Sequence, residues 1–321
     1  MSDDTFDNRE SPTFKKKRPE SISARTVVDL GALSHPGKVR TENQDSFLVT
    51  RIIRSMRTVV TNIPEGEIAN RHSEIAYGML VADGVGGHPG GQVASRAAIS
   101  GMVDLAIDTP DWYAKLDNRG ANTVMWRMKD RLDRLRDALD ECSSIDPALT
   151  GLGTTMTLAV SLGADLVLAH VGDSRAYLFT HGQLVLLTKD QTMAQRLADL
   201  GVINQEEVTK HASRHVLTGA ITADGEKPEV ELHHLRLLNG DQLLLCSDGL
   251  SDMVSDTDIA AVLEKEKPAT EACQALVDLA LEAGGRDNVT VTVARYQIPA
   301  DADSSVPASE AEHLSHDNEI H

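Results

Sequence analysis

Ten short, strand-like apolar runs, several of them joined by tight polar turns, constrain the fold of this chain most strongly. Leu162-Gly163-Ala164-Asp165 and His181-Gly182 have the composition of hairpin turns between neighbouring strands. Hairpins join antiparallel strands, so the pattern argues against a parallel sheet of strand–helix–strand units. The runs span residues 26–33, 45–53, 74–82, 153–161, 164–172, 174–180, 183–188, 231–237, 241–247 and 288–296.

Helical patterns interrupt these runs at residues 91–108, 122–141, 193–200 and 270–283. In the longest pattern, apolar residues recur every three or four positions, which is typical of an amphipathic helix packed against a core. Strands in groups, with helices inserted between them, fit antiparallel sheets covered by helices. We therefore predict an α+β protein.

The two ends of the chain differ in composition from its body. Residues 1–24 are hydrophilic, and residues 298–321 are rich in Asp, Glu, Ser, Pro and His, so both segments are predicted to be disordered. Residues 25–297 are predicted to form one domain. Within it, the mixed helix and polar loop at 189–230 is long enough to form a flap over a site.

Composition argues against several classes of function. The formal net charge of −18 disfavours a surface for nucleic acid or an anionic membrane. No apolar stretch is suited to a signal peptide or long enough for a membrane span. The three widely spaced cysteines form neither a zinc pattern nor a disulfide framework, which favours a reducing compartment. We expect a cytoplasmic monomer.

Five segments place an aspartate beside a predicted strand. The five residues are Asp45, Asp83, Asp173, Asp248 and Asp287, and two of them, Asp83 and Asp248, are followed by glycine. Several such carboxylates at one rim of a sheet would repel each other unless cations neutralise them. Oxygen donors without histidine or cysteine favour Mg²⁺ or Mn²⁺ over Zn²⁺.

Each segment alone has a simpler interpretation. Asp-Gly is first of all a turn sequence, Asp173 could occupy a hairpin corner, and Arg40 could be a surface charge. The overall acidity could belong to a solvated surface. Five such segments in one chain, each beside a strand, are hard to explain as turns alone, so we interpret them as a site for divalent cations. A glycine at position 84 would let its backbone carbonyl approach an ion.

The ordered set of motifs resembles the type 2C, metal-dependent protein phosphatase family in its bacterial form. The stretch SHPGKVRTENQD at 34–45 is similar to the first motif of that family, and Gly153-Thr154-Thr155 matches its Gly-Thr-Thr strand start. The resemblance covers about residues 24–296. The later motifs are VADGVGGH at 81–88, HVGDSRAYL at 170–178, LLLCSDGLSDMV at 243–254 and GGRDNVTVTVAR at 284–295.

The resemblance implies a fold and a set of metal ligands. The fold is a four-layer α-β-β-α sandwich, in which helices flank two antiparallel sheets and a metal cleft lies at one end. Asp83 would bridge two tightly bound metals, and the Gly84 carbonyl would bind one of them. Asp248 and Asp287 would complete the shell of the second metal, which Asp45 would reach through water. Asp173, together with Asp248, would hold a third and weaker metal.

The resemblance also implies a reaction. Arg40 would hold the phosphate while a metal-activated water hydrolyses phosphoserine or phosphothreonine in proteins, opposing a serine/threonine kinase. Two departures from the family pattern stand out. Val85 occupies the position where eukaryotic members have a histidine thought to be the general acid, and His88, three residues later, suits a structural or turn-capping role. Asp190-Gln191-Thr192 replaces the frequent Asp-His-Ser of the flap.

Two other functions fit parts of the pattern. A catalytically silent adaptor could bind phosphoproteins with the same fold, although it would have no need for four mutually repelling carboxylates. A metal-dependent nuclease or small-molecule phosphoesterase could use similar ligands, although an acidic surface disfavours polyanionic substrates.

Overall fold

A computed structural model describes residues 20–64, 67–85, 90–108, 118–145, 151–223, 227–265, 267–300 and 302. The strands in these ranges form two sheets, and every paired strand within them is antiparallel. The α+β prediction is confirmed. No helix in the described ranges is both long and apolar enough to cross a lipid bilayer.

The first sheet has five strands in the order β1-β12-β11-β7-β8. The turn between β7 and β8 has positive φ at both central residues, 50° at His181 and 76° at Gly182, as a tight two-residue hairpin requires. This predicted hairpin is confirmed. The strands are β1 (Val27–His35), β7 (Arg175–Thr180), β8 (Gln183–Leu186), β11 (Gln242–Cys246) and β12 (Val289–Gln297).

The second sheet has seven strands in the order β10-β6-β5-β3-β4-β9, with β2 paired to β3. The predicted hairpin between β5 and β6 is confirmed, because Leu162 pairs with Asp165 across a turn in which Gly163 has a φ of 64°. The strands are β2 (Asp45–Arg57), β3 (Arg71–Val85), β4 (Gly153–Thr154), β5 (Met156–Leu162), β6 (Asp165–Val171), β9 (Ile221–Thr222) and β10 (Glu231–Arg236).

Three apolar clusters divide the molecule into four layers. The middle cluster joins the two sheets through residues such as Met79, Leu166 and Leu243. A second cluster packs α2 and α3 on the outer face of the second sheet, and a third packs α5, α6 and α7 on the first sheet. The α-β-β-α sandwich is therefore confirmed. The helices are α1 (Ile22–Arg25), α2 (Gly90–Asp108), α3 (Asn118–Ile145), α4 (Met193–Asp199), α5 (Asp248–Ser251), α6 (Asp256–Leu263) and α7 (Ala269–Glu282), with a 3₁₀ helix at Gln205–Lys210.

Residues on both sides of the predicted domain, 25–297, pack against it. Ser21 lies in the segment predicted to be disordered, but its hydroxyl donates a hydrogen bond of 2.6 Å to the Ser73 carbonyl, and α1 follows it. Ile298 and Ala302 are buried against Leu237 in the cluster between the sheets. Ser21, Ile298 and Ala302 therefore contact the predicted domain from outside its ends at 25 and 297, although isolated apolar residues in these polar segments carry no periodicity. Residues 1–19 and 303–321 lie outside the described ranges.

We expect the first of these added segments to stabilise the domain. A chain beginning at residue 26 loses α1 and the bonds from Ser21 to Ser73 and from Ile75 to Ser23. Its Tm should lie about 2–6 °C below that of a chain beginning at residue 20, which corresponds to about 1–2 kcal/mol for a domain of this size. Scanning calorimetry of the two chains makes the comparison. Equal Tm values would contradict this account of the boundary.

Candidate metal centre

Asp45 and Asp83 lie opposite each other on neighbouring strands of the second sheet. They form a register pair of β2 and β3, so their side chains share one face of the sheet. The Gly-Thr-Thr segment holds the backbone of Asp83 in place. Thr155 donates its N–H to the Asp83 carbonyl at 2.8 Å, and its hydroxyl accepts the Asp83 N–H at 3.0 Å. Asp83 is therefore rigidly positioned.

The strand runs beyond the predicted 74–82 and continues through Gly84 and Val85, which pair with β4. A glycine is required at position 84 for a reason that local sequence could not show. A Cβ there would lie 2.1 Å from the Gly91 carbonyl oxygen at the start of α2. The close approach of helix and strand therefore excludes any side chain, whatever the carbonyl of Gly84 binds.

Asp45 is fixed by the other sheet. The Ser247 hydroxyl donates to Asp45 Oδ2 at 2.7 Å and accepts the Thr290 N–H at 3.0 Å, so the two sheets are joined at this point. Asn288 anchors the preceding segment, since its amide group donates to the carbonyls of Pro36 and Glu42. Asn288 therefore holds the first motif, residues 34–45, against the start of β12.

Asp173 lies in the turn between β6 and β7, and hydrogen bonds from neighbouring segments hold this turn in place. The buried His170 ring contacts the Thr157 hydroxyl at 2.9 Å through Nδ1 and the Gly172 carbonyl at 3.0 Å through Nε2. Gln191 exchanges two bonds with Gly172, donating its N–H to the carbonyl and accepting the Gly172 N–H on Oε1. The turn that carries Asp173 is therefore held by residues from three parts of the chain.

Asp248 begins α5 directly after strand β11, and Asp252 follows one helical turn later. His215, from the 189–230 segment, lies 3.5 Å from Asp252. One potential ligand atom from each of His215, Asp248 and Asp252 lies within 4.8 Å of the other two. The segment predicted to be a flap therefore reaches the edge of the aspartate cluster.

Arg40 and Asp287 lie at the exposed side of the cluster. Arg40 Nη2 donates to Asp287 Oδ2 at 2.7 Å, and the Arg40 side chain is 54% exposed. This hydrogen bond, and the charge of Asp287, raise the pKa of Arg40 above its usual value. An exposed guanidinium at the rim of an acidic cleft is free to turn toward an incoming anion.

The four inner carboxylates are costly to ionise together. Burial raises the pKa of Asp45 to about 6 and that of Asp173 to about 7. Burial also raises the pKa of Asp83 and Asp248 well above the usual range, and the charges of neighbouring aspartates raise both further. For Asp83 these neighbours are the other predicted aspartates: Asp45, Asp248, Asp173 and Asp287. The structure therefore brings all five predicted aspartates into one electrostatic cluster.

The cluster fits divalent cations. Asp45 Oδ1 and Asp248 Oδ1 are buried and have no hydrogen-bond partner, which is costly unless an ion occupies the space beside them. Repelling carboxylates with unused oxygens are the donor set that hard cations prefer. Asp45, Asp83, Asp173, Asp248 and Asp287, with the Gly84 carbonyl, are the groups available to hold them.

Sequence reasoning missed the roles of several residues of this site. Ser247, Thr155 and Asn288 lie within the quoted motifs, but they carry no charge and make their contacts across long sequence separations, so no local pattern indicated those roles. Asp252 could have been found, since it follows Asp248 by four residues on a short helix and so lies near it. His88 lies outside the described residues.

The departure at 190–192 has a structural role in this chain. Asp190 binds the Arg175 guanidinium with two hydrogen bonds, at 2.9 and 2.7 Å. The Gln191 carbonyl accepts the N–H groups of Thr218 and Gly219, and Thr192 caps α4. The three residues therefore tie the start of the 189–230 segment to residues 218–219 and to Arg175, which follows the turn that carries Asp173.

Comparison with known proteins agrees with this geometry. A family model described as protein phosphatase 2C matches residues 67–281. The serine/threonine protein phosphatase PstP of Mycobacterium tuberculosis is 40% identical over 233 residues, covering 70% of this chain and 42% of PstP. The serine/threonine phosphatase Stp of Listeria monocytogenes is 32% identical over 213 residues, covering 66% of this chain and 82% of that protein.

A crystal structure of the catalytic domain of PstP, in complex with two manganese ions, is 32% identical and superposes with a TM-score of 0.65. The match covers 85% of this chain and 99% of that domain. This chain spans less than half the length of the full PstP proteins that it matches. The match of the family model over most of the domain, together with these relatives, shows that the chain belongs to the protein phosphatase 2C family.

Proposed function

We propose that this chain is a protein serine/threonine phosphatase that hydrolyses phosphoserine and phosphothreonine in proteins with the help of two divalent cations, Mn²⁺ or Mg²⁺. The observation that carries the proposal is the cluster of buried, mutually repelling aspartates with two unpartnered oxygens. The manganese ions in the PstP catalytic domain, and the serine/threonine phosphatases among the relatives, support the same conclusion. A role opposing a serine/threonine kinase in bacterial signalling follows from that activity.

When bound by these residues, divalent cations would supply an activated water for attack on phosphorus and positive charge to neutralise the phosphate. The aspartates of this chain would supply the negative charge and fixed geometry for that. Arg40, at the rim, would exchange Asp287 for the phosphate oxygens of the substrate, which a guanidinium binds in a fork of two hydrogen bonds. No histidine follows Asp83-Gly84, so this chain offers no imidazole at that position to protonate the leaving oxygen.

Activity on three substrates, a small aryl phosphate, a phosphothreonine peptide and a nucleic acid, distinguishes this function from its alternatives. In Mn²⁺, the wild-type chain should hydrolyse a small aryl phosphate and a phosphothreonine peptide, whereas exhaustive chelation should abolish both activities. An adaptor would bind the peptide without hydrolysing it. A small-molecule phosphoesterase would act on the aryl phosphate alone, and a nuclease would act on DNA or RNA.

Arg40→Ala should weaken substrate binding more than it slows chemistry. We expect KM for the phosphopeptide to rise about tenfold and kcat to fall by less than about threefold, because the lost contact is made to the bound phosphate before reaction. Arg40→Lys keeps the positive charge but cannot form two parallel hydrogen bonds to the phosphate. Its KM should therefore lie between those of the wild type and Arg40→Ala. If kcat fell a hundredfold with KM unchanged, Arg40 would act in the transition state and not in binding.

Asp173 should serve a third, weaker cation together with Asp248. Asp173→Ala should leave two tight cations bound and the fold stable, yet lower kcat on phosphopeptide more than about tenfold. Calorimetric titration of Mn²⁺, run beside the assay, measures both effects. If Asp173→Ala kept wild-type turnover at every metal concentration, Asp173 would have only a structural role in the turn. If the variant lost all metal binding, Asp173 would be a ligand of the two tightly bound cations.

A further inference from the structure

The hairpin of β2 and β3 projects beyond its sheet at the end opposite to the aspartates. β5 pairs with β3 from Ala76 to Val81, whereas β2 accompanies β3 as far as the pair Arg57 and Arg71. We call residues 51–57 and 71–75 the basic arm. Arg71 is twelve residues from Asp83 on the same strand, which is about 40 Å at about 3.3 Å per residue. The arm is therefore remote from the metal centre.

The basic arm is positively charged on a strongly acidic protein. The arm contains four arginines, Arg51, Arg54, Arg57 and Arg71, and one acid, Glu74, although the whole chain carries −18. Arg51, Arg57 and Arg71 are exposed, and the alternation of strand residues places them on one face of the arm. The rest of the chain is net negative, so an acidic segment is attracted to this arm more than to the protein's average surface.

The arm itself shows an uncompensated charge. Arg57 and Arg71 lie directly opposite each other at the end of the hairpin, and like charges in such a pair destabilise it. Two apolar side chains of β2 are also exposed: Ile53, which is 52% exposed on the face of these arginines, and Met56, which is 54% exposed on the opposite face. In the described ranges, the pairing of β2 is with β3 alone, so its outer edge is open. An acidic, extended segment would bridge the arginines and cover the edge.

The chain carries such a segment directly after Ala302. Residues 303–321 contain Asp303, Glu310, Glu312, Asp317 and Glu319 and no Lys or Arg. They follow Ala302, whose carbonyl accepts a hydrogen bond from Arg236 and whose side chain shares an apolar cluster with Ile22 in α1. Ser21, just before α1, is bonded to Ser73 in the arm.

We propose that the acidic segment 303–321 docks on the basic arm and covers the open edge of β2. Nineteen residues reach up to about 60 Å, so the segment spans the arm from Ala302 without strain. Attachment to the same chain gives it a local concentration far above that of a free acidic partner. An acidic region of another protein would bind the arm only by displacing this segment.

Hydrogen exchange of the β2 peptide tests the proposal on the full chain and on a chain ending at residue 303, which keeps Ala302 and Arg236. At low ionic strength, amides of residues 46–57 should exchange several-fold more slowly in the full chain. The difference should vanish in 0.5 M salt, because screening removes the attraction between exposed charges. Equal exchange in the two chains at low salt would overturn the proposal.

A charge swap identifies the contact. Arg57→Glu with Arg71→Glu should abolish the protection, and replacing the four acids at 310, 312, 317 and 319 by Lys in that background should restore it. Turnover of a small aryl phosphate should stay within about twofold throughout, which controls for folding. Protection that survives the double substitution but disappears when residues 1–19 are deleted would assign the acidic segment to the Lys15–Arg18 run instead. Protection produced only by an acidic peptide added in trans would assign the arm to another protein.

Discussion

Asp83→Asn should reduce kcat by more than about a hundredfold while making the metal-free protein more stable. The carboxylate is buried among four other aspartates, each of which raises its pKa. Removing its charge relieves that repulsion in the absence of metal, but it also removes a carboxylate that would hold the cations, whose stabilisation of the transition state would be worth several kcal/mol. Steady-state kinetics measures the loss of kcat, and Tm measured with and without Mn²⁺ shows whether the metal-free variant is more stable than the wild type.

Asp278→Asn is the matched control, because Asp278 is exposed on α7 and contacts only Gln274 among the contacts described. It should change neither kcat nor the stabilisation by Mn²⁺. Asp248→Asn should behave like Asp83→Asn, since the two carboxylates lie in one cluster. If Asp83→Asn kept a tenth of the wild-type kcat, the assignment of the metal ligands would be wrong.

The metal-free protein should lose stability as the pH rises from about 4 to 8. A carboxyl group whose pKa is higher in the folded chain than in the unfolded chain stabilises the fold below the unfolded pKa, near 4, and this stabilisation is lost as the pH passes the folded pKa. The pKa is about 6 for Asp45 and about 7 for Asp173. Asp45 alone accounts for about 3 kcal/mol, so Tm should fall by more than about 5 °C.

Saturating Mn²⁺ should reverse this dependence, because cations bind the deprotonated carboxylates and compete with protons. Calorimetric scans in chelator and in Mn²⁺, at intervals between pH 4.5 and 8, give the two profiles. Asp45→Asn should flatten the profile in chelator without unfolding the chain. Parallel profiles in chelator and in Mn²⁺ would show that the cluster does not bind the metal.

The sequence predicted the fold well where local chemistry decides the structure. Gly163 and the pair His181-Gly182 supplied the positive φ angles of the hairpins, and α3 had a periodic apolar face. The sequence did not predict elements that are short or that depend on contacts with residues distant in the chain. α5 and α6 have too few residues for a periodic pattern, and Ile298 and Ala302 are buried by contacts with Leu237 and its neighbours that a polar local sequence does not reveal.

The sequence predicted the charged residues of the candidate site but not the uncharged residues that hold them in place. Aspartates beside strands stand out because several carboxylates in similar contexts imply a common partner. Ser247 contacts Asp45 across 202 residues, and Asn288 contacts Glu42 across 246, so their roles exist only in the folded chain. His215 reaches Asp252 because the segment at 189–230 folds back, which no local pattern in that polar stretch indicated.

Counting bound Mn²⁺ while measuring turnover in the same samples tests the central claim most directly. Metal-free protein is titrated with Mn²⁺, the bound ions are counted by calorimetry, and hydrolysis of a phosphothreonine peptide is measured at each point. We expect two tightly bound ions per chain, no turnover before they bind, and loss of both properties in Asp83→Asn. Full turnover in chelator, or the same tight binding by Asp83→Asn, would contradict a metal-dependent phosphatase built on these aspartates.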